Sequence, residues 1–297
     1  LFATAGSGYG VFLLAEYLLR DTSGPDRLRQ VAAFLAGLVY AFGSYRMVYA
    51  AMGHYDMWST IWIPFFALYL VRTTRERSLA KAALAREKLV LAMLCEMILG
   101  VFLGMLALIL LLLALGRRER AYIAGGWPGL LKRLLVLGLV ATVLYLPLLG
   151  PILREMRGGY ELAGWGDADK LSVDLMGLIT PTALHPWGGD WAQVLRQTLE
   201  GTSRFRDVNT VFLGWLGLLL ALIGAVCYRR RLAAWLSSLL IFSIFSLGPL
   251  LQINGRSAFD LDGLEVNVPL PFLLLHYIPV IKANRVPNRF SVVLMLA

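Results

Sequence analysis

The sequence predicts an all-α protein: a polytopic transmembrane helical bundle with a partly helical extracytoplasmic loop. Of its 297 residues, 58% are hydrophobic and only 16% are charged, whereas soluble domains carry about 25% charged residues. The apolar residues also form runs close to the roughly 20 residues that a helix needs to cross a bilayer. The net charge of +9 does not indicate a nucleic-acid partner, because basic residues beside apolar runs usually mark cytoplasmic loops. We therefore expect a multi-pass protein of the plasma membrane that contacts the lipid bilayer.

The apolar runs give the predicted spans in order. They cover residues 5–19, 30–50, 57–72, 130–149, 209–227 and 232–250, and a last span starts near residue 288. Residues 79–116 are harder to assign, because the apolar part is long for one helix and short for two. Two short helices that meet near residues 96–100 would leave every basic cluster on one side of the membrane, as the positive-inside rule favours. A single crossing would move the later clusters to the other side, so we expect two crossings here.

This arrangement predicts one membrane domain, residues 1–297, with about 8–9 spans. Its outer loops would be residues 51–56, 150–208 and 251–288. Acidic residues outnumber basic ones in the long second loop, and loops of this length tend to be functional. The chain does not begin with Met and ends within an apolar run, so we expect an internal piece of a longer protein.

Three polar residues around the first outer loop invite two interpretations. Arg46, His54 and Asp56 would lie at the outer membrane edge among tyrosines and tryptophans. In the first interpretation, they belong to an interfacial belt, where they are solvated or reach the lipid headgroups. Alternatively, they line the rim of a polar cavity, where His54 and Asp56, two residues apart, could act as an acid/base or ligand pair.

Three further residues are candidates for an acid or a metal ligand. Glu96 lies in an apolar stretch, where an ionisable side chain is a functional-site hypothesis by default. The alternative is that Glu96 ends a short helix and meets water or an arginine. His185 and Asp190 lie close together in the long outer loop, although a loop histidine before proline is more often a hydrogen-bonded structural residue.

The stretch "NRVPNRF" near residue 287 predicts an anion site. Pro287 suits the first turn of a helix, whose free N–H groups and positive dipole end would face the outer surface. Arg289 falls in this first turn and Arg285 lies just outside it. Guanidinium groups bind phosphate oxygens bidentately, so we favour a specific phosphate site over contact with lipid headgroups.

Several stretches occur in a recognisable order, among them "GHYDMWSTIW", "FSLGPLLQINGR" and "PLPFLLLHYIPVIKANRVPNRFSVVL". They resemble the multi-pass membrane proteins of the GT-C glycosyltransferase superfamily, in particular the YfhO-like bacterial and archaeal groups. The resemblance implies a GT-C-like bundle that transfers a sugar, with inversion, from a polyprenyl-phosphate donor at the outer face of the membrane. His54, Arg285 and Arg289 match positions of the family pattern.

The resemblance assigns no catalytic residue to this chain. The catalytic carboxylate of the family lies in its first outer loop, which we expect upstream of residue 1. Some such families need a divalent metal, for which Asp56, Glu96 and Asp190 could supply ligands. Two alternatives remain open: a transporter or flippase of lipid-linked or anionic solutes, and a catalytically inactive GT-C-like scaffold.

Overall fold

A computed structural model of the protein describes residues 1–22, 24–76, 78–114, 126–159, 168–182, 185, 190–191, 194, 211–275, 277–278, 281 and 284–297. This part of the chain is mostly helical and contains one two-stranded antiparallel sheet. The chain divides into two compact units: Leu1–Phe42, Asp56–Glu161 and Leu296 form the first, and Gly43–Tyr55, Leu162–Met295 and Ala297 form the second. Membership of both units in one membrane domain stays a prediction.

The helices and strands, in chain order, are α1 (Phe2–Leu19), α2 (Asp26–Ala41), α3 (Ser44–Ala51), α4 (Tyr55–Trp58), α5 (Trp62–Arg75), α6 (Leu79–Cys95), α7 (Met97–Ala114), α8 (Gly126–Arg157), α9 (Trp215–Tyr228), α10 (Ala233–Ser246), β1 (Ala258–Leu261), β2 (Leu264–Asn267), α11 (Phe272–Leu275) and α12 (Ser291–Leu294). The described residues also contain the 3₁₀ turns Met176–Leu178 and Pro287–Phe290.

Four helical stretches of the described residues are long and apolar enough to cross a membrane: Phe2–Leu19, Asp26–Ala51, Met97–Ala114 and Gly126–Glu155. The second comprises α2 and α3, between which the helix breaks. Helices α9 and α10 are apolar but have only 14 residues each, about 21 Å, whereas the hydrocarbon core is about 30 Å thick. The chain therefore has the helices of a membrane protein, and the full set of 8–9 spans stays a prediction.

Glycines bring α1 and α2 of the first unit together. A Cβ atom on Gly37 would lie 2.6 Å from the carbonyl oxygen of Gly8, and a Cβ on Gly8 would lie 3.0 Å from the carbonyl oxygen of Gly37. The two backbones therefore approach each other where no side chain fits. Small residues allow such close crossings between membrane helices, where packing rather than water exclusion drives association.

The predicted break within residues 79–116 is confirmed. Helix α6 ends at Cys95 and α7 begins at Met97, with Glu96 between them in an extended conformation, φ −158° and ψ 122°. Only α7 of this pair has the length and composition of a span. The two crossings therefore stay a prediction.

Two helices differ in their bounds from the predicted spans. Helix α8 continues to Arg157, past the predicted end of its span at residue 149, although Pro147 and Pro151 lie inside it. The start of the second outer loop stays a prediction. The predicted span 57–72 is interrupted at residues 59–61. Its main helix, α5, begins at Trp62, which places Pro64 in the first turn, where a missing N–H is tolerated.

A β-hairpin within residues 251–288 corrects the all-α prediction. Strands β1 and β2 pair antiparallel, with Asp260 opposite Glu265 and Leu261 opposite Leu264. Asp262 and Gly263 connect them, both with positive φ, 54° and 87°. An Asp-Gly pair between alternating apolar and polar residues is the strongest local hairpin signal, and it overrides the loop assignment.

Segment 168–182 of the second unit, which contains the 3₁₀ turn Met176–Leu178, bonds to distant parts of the chain. The Val173 N–H donates to the Ser246 carbonyl at 2.9 Å, and the Leu175 N–H donates to the Gln252 carbonyl at 2.9 Å. This segment thereby lies along the end of α10 and the chain that follows it. The ring of Phe290 packs against Phe242, Phe245 and Phe272, with centroids 5.4–6.2 Å apart. These contacts hold the segment that carries Arg289 in place.

Candidate anion-binding site

Arg46 on α3 is buried inside the second unit. It is only 1% exposed, although it belongs to the candidate span Asp26–Ala51. The guanidinium stays charged in proteins, and removing such a charge from water costs several kcal/mol unless polar or oppositely charged groups surround it. The interpretation of Arg46 as an exposed anchor in the headgroup region is therefore wrong.

Tyr49 links α3 to the arginine-containing segment near residue 289. Its hydroxyl donates to Oδ1 of Asn288 at 3.2 Å, and both residues are buried, at 4% and 3% exposed. Residues three apart share a helix face, so Tyr49 lies on the face of α3 that also carries Arg46. This hydrogen bond joins α3, which carries Arg46, to the turn that carries half-buried Arg289. We call these four residues the Tyr49–Asn288 cluster: Arg46, Tyr49, Asn288 and Arg289.

Pro287 starts a helical turn, as predicted, but the turn differs from an anion-binding helix start. Residues Pro287–Phe290 form a 3₁₀ turn that leads into the short helix α12. The Asn288 N–H donates to the Leu171 carbonyl at 3.2 Å, and the Arg289 N–H donates to the Val286 carbonyl at 3.1 Å. The expectation of free N–H groups at this turn was therefore wrong.

Arg285 precedes this turn and is exposed. The preceding residue, Asn284, is 4% exposed and accepts the Val286 N–H at its Oδ1, at 3.4 Å. This local bond fixes the backbone on either side of Arg285. The guanidinium of Arg285 is therefore accessible to a ligand from solvent, whereas Arg289 is partly covered by the protein.

His54 and Asp56 flank the turn between α3 and α4. His54 is exposed, its N–H donates to the Tyr49 carbonyl at 2.9 Å, and its ring meets that of Tyr49 edge-on at 5.9 Å. The turn places Gly53 at φ +76°, which favours glycine. Asp56 lies in the first turn of α4 and is half-buried. The structure thus places His54 beside the Tyr49–Asn288 cluster, and its pairing with Asp56 stays a prediction.

Three candidates for an acid or a metal ligand remain: Glu96, His185 and Asp190. His185 packs edge-on against Phe212, with centroids 5.0 Å apart, and Asp190 is exposed. Residues 186–189, which connect them, lie outside the described residues. Glu96 belongs to the first unit, at the junction of α6 and α7. Across the described residues, no group of three or more His, Cys, Asp or Glu side chains could hold a metal ion.

His185 nevertheless shares an environment with α3. The hydroxyl of Ser44, at the start of α3, donates to the Phe212 carbonyl at 2.7 Å, and the Phe212 ring is the one that meets His185. Helix α3 therefore contacts the arginine segment through Tyr49 and the His185 region through Ser44. Helix α3 is therefore the element to which four sequence candidates relate. Arg46 lies on it, and His54 contacts its residue Tyr49. Arg289 and His185 each adjoin a residue that α3 binds, Asn288 and Phe212.

Sequence reasoning missed Asp174, a fully buried carboxylate at 0% exposed. Its Oδ1 accepts the Met176 N–H at 2.8 Å and the Asn254 N–H at 3.1 Å, and its Oδ2 accepts the Gly255 N–H at 2.8 Å. Asn254 and Gly255 have positive φ, 54° and 75°. Asp174 thus fixes a tight turn about 80 residues away. In the sequence, the Asn-Gly pair indicates the turn but not the carboxylate that binds it.

Comparison with known proteins adds no family assignment. No protein-family model, no curated protein and no solved structure matches the chain. The fold and site therefore define a class only: a mostly helical protein with four helices suited to crossing a membrane and a cluster of arginines and buried polar groups around α3.

Proposed function

We propose that this chain is part of a membrane glycosyltransferase that transfers a sugar from a polyprenyl-phosphate donor at the outer face of the cell membrane. In this proposal, Arg285 and Arg289 bind the phosphate of the donor. The hydrogen bond from Tyr49 to Asn288 carries the proposal, because it joins α3, the helix that contains buried Arg46, to the segment that contains both of those arginines. The resemblance of the sequence to GT-C proteins supports the choice of donor.

The chemistry of such a transfer needs fixed cations. The bond between the sugar carbon and the donor phosphate breaks, a bond from the acceptor oxygen to that carbon forms, and the acceptor proton passes to a base that we do not assign to this chain. Negative charge grows on the departing phosphate, and preorganised donors that face this charge stabilise the transition state. A guanidinium suits this role because it stays charged and binds two phosphate oxygens at once.

The burial pattern of the arginines fits a lipid-linked anion. Exposed Arg285 is accessible from the aqueous side, and half-buried Arg289 lies next to the protein interior, where a lower dielectric strengthens its attraction for phosphate. Arg46, in a candidate span, extends the positive charge into the protein. Charged residues within spans usually face the protein interior and mark substrate or ion pathways.

The test measures binding of a polyprenyl-phosphate sugar to the purified protein in detergent. The variant replaces both Arg285 and Arg289 by alanine, and the control replaces Arg229 and Arg230, which are exposed at the end of α9. A hydrogen bond to a charged group contributes about 1.5–3 kcal/mol, so the site variant should lose at least about tenfold in affinity. The control should bind like the wild type, since it removes the same charge elsewhere.

Two results would reject the proposal. Equal binding by the site variant and the wild type would show that Arg285 and Arg289 do not contact the phosphate. No binding by the wild type would remove this donor class and favour a transporter or an inactive scaffold. Thermal unfolding of each variant shows whether the fold is intact.

A further inference from the structure

A cluster of arginines surrounds Tyr17 at one end of helices α1 and α5 in the first unit. The guanidinium carbons of Arg20, Arg72 and Arg75 lie 4.2, 5.4 and 5.8 Å from the centre of the Tyr17 ring. An aromatic face attracts cations within about 6 Å. One tyrosine ring therefore gathers cations from two helices that are far apart in the sequence.

Arg72 is already neutralised by an acidic partner. Its Nε donates to Oε1 of Glu76 at 2.9 Å, and the Tyr17 hydroxyl donates to the same oxygen at 3.2 Å. Burial raises the pKa of the Glu76 carboxyl, but the hydrogen bond and charge of Arg72, with the Tyr17 hydroxyl, outweigh it and lower the pKa below its usual value. The carboxylate is thus ionised at neutral pH, and it holds the ring of Tyr17 in position.

Arg29 is also engaged within the protein. Its Nη1 donates to the Arg20 carbonyl at 2.9 Å and to the Thr22 carbonyl at 3.2 Å. It therefore binds the carbonyl groups just past the end of α1, where a cation is favourable. A second nitrogen of Arg29 contacts Asp26. Neither Arg29 nor Arg72 is left to bind an external anion.

Arg20 and Arg75 remain available on the Tyr17 ring. Both are exposed. Arg20 approaches Asp21 at 3.6 Å, but both side chains are about half exposed or more, at 49% and 71%, and such pairs contribute little. Arg75 makes no hydrogen bond or ion pair with any residue that the structure describes. Of the described carboxylates near the ring, Glu76 is paired with Arg72 and Asp21 pairs only weakly with Arg20. An external anion would therefore stabilise the two like charges of Arg20 and Arg75.

We propose that Arg20 and Arg75, held on the Tyr17 ring, bind the phosphate of an anionic phospholipid headgroup. Helix α1 is long and apolar enough to cross a membrane and ends at Leu19, so Tyr17 and Arg20 lie at the depth of the headgroups. Basic pockets between membrane helices bind anionic headgroups, and guanidinium groups pair with phosphate oxygens. This site belongs to the first unit and does not depend on the proposed glycosyl transfer.

Native mass spectrometry of the purified full chain tests the site. Phosphatidylglycerol and phosphatidylcholine, which share the phosphate but differ in net charge, are compared as probes. Each arginine near an anionic lipid surface contributes roughly a factor of five, so Arg20→Gln with Arg75→Gln should weaken phosphatidylglycerol binding at least about tenfold. The control, Arg229→Gln with Arg230→Gln, removes two exposed cations from the end of another apolar helix and should retain the wild-type affinity.

Two further measurements distinguish a specific lipid-binding site from the non-specific attraction of arginines to anionic lipids. Tyr17→Leu keeps every arginine but removes the ring, so its phosphatidylglycerol affinity should fall while the net charge is unchanged. An equal loss in the Arg229/Arg230 control, or full binding by Tyr17→Leu, would overturn the proposal. If millimolar inorganic phosphate displaces the lipid or stabilises the protein as much as the lipid does, the site binds free phosphate and the lipid assignment is wrong.

Discussion

Replacing Asp174 by alanine should destabilise the second unit strongly. The substitution leaves the N–H groups of Met176, Asn254 and Gly255 without their common acceptor. Hydrogen bonds to a charged group contribute about 1.5–3 kcal/mol each. Because Asn254 is exposed, water can replace its bond. The other two losses count fully, and we expect a total cost of about 3–6 kcal/mol. Asp174→Asn keeps one acceptor oxygen and should cost roughly half as much.

Thermal unfolding in detergent, followed by circular dichroism, measures this effect. For a domain of about 150–250 residues, 1 kcal/mol shifts Tm by roughly 2–4 °C, so Asp174→Ala should lower Tm by about 6–24 °C. Asp190→Ala is the matched control, because it removes an exposed carboxylate and should shift Tm by less than about 2 °C. The reasoning fails if Asp174→Ala unfolds within about 2 °C of the wild type.

Two further predictions concern the first unit. Gly37→Ala should destabilise the protein by at least about 1 kcal/mol, because its Cβ would lie 2.6 Å from the Gly8 carbonyl oxygen. The control, Gly104→Ala, has no atom within 4 Å of its Cβ and should be neutral or stabilising. Equal unfolding temperatures for the two variants would contradict the close crossing of α1 and α2. The lowered pKa of Glu76 means that its ion pair with Arg72 stabilises the fold above the usual glutamate pKa, about 4.3, and that this stability is lost as the pH falls through the lower folded-state pKa. Unfolding between pH 7 and pH 3 should therefore show a smaller loss of stability in Glu76→Gln than in the wild type, and identical pH profiles would refute the assignment.

The membrane class could be predicted from composition, because apolar content and charge are properties of the whole chain. Local backbone chemistry also gave correct boundaries: Pro287 begins a turn, and the helix breaks at Glu96. The hairpin carried an equally local signal in Asp262 and Gly263. The alternation of apolar and polar residues on either side of this pair is short, and a long segment between apolar runs is more often a loop.

The candidate site was less predictable because its contacts join distant parts of the chain. Tyr49 and Asn288 are 239 residues apart, and Asp174 reaches N–H groups about 80 residues away. No periodicity or spacing in the sequence encodes such pairs. The sequence could identify Arg46 and Arg289 as unusual cations, but only tertiary packing determines that the first is buried and that the N–H groups beside the second are already bonded.

The exposed arginines of the first unit and buried Arg46 of the second differ in their free-energy cost to the folded protein. Exposed cations such as Arg20 and Arg75 cost little, and exposed ion pairs contribute about 0–1 kcal/mol, so their positions at a helix end need no compensation from the fold. Buried Arg46 is different, because desolvation of an ion costs several kcal/mol, and apolar residues of similar volume often serve stability as well or better. Stability alone therefore does not explain a guanidinium within a candidate span. Its place one helical turn from the Tyr49–Asn288 hydrogen bond supports a role in binding an anion, for which a permanent charge in a low dielectric is an advantage.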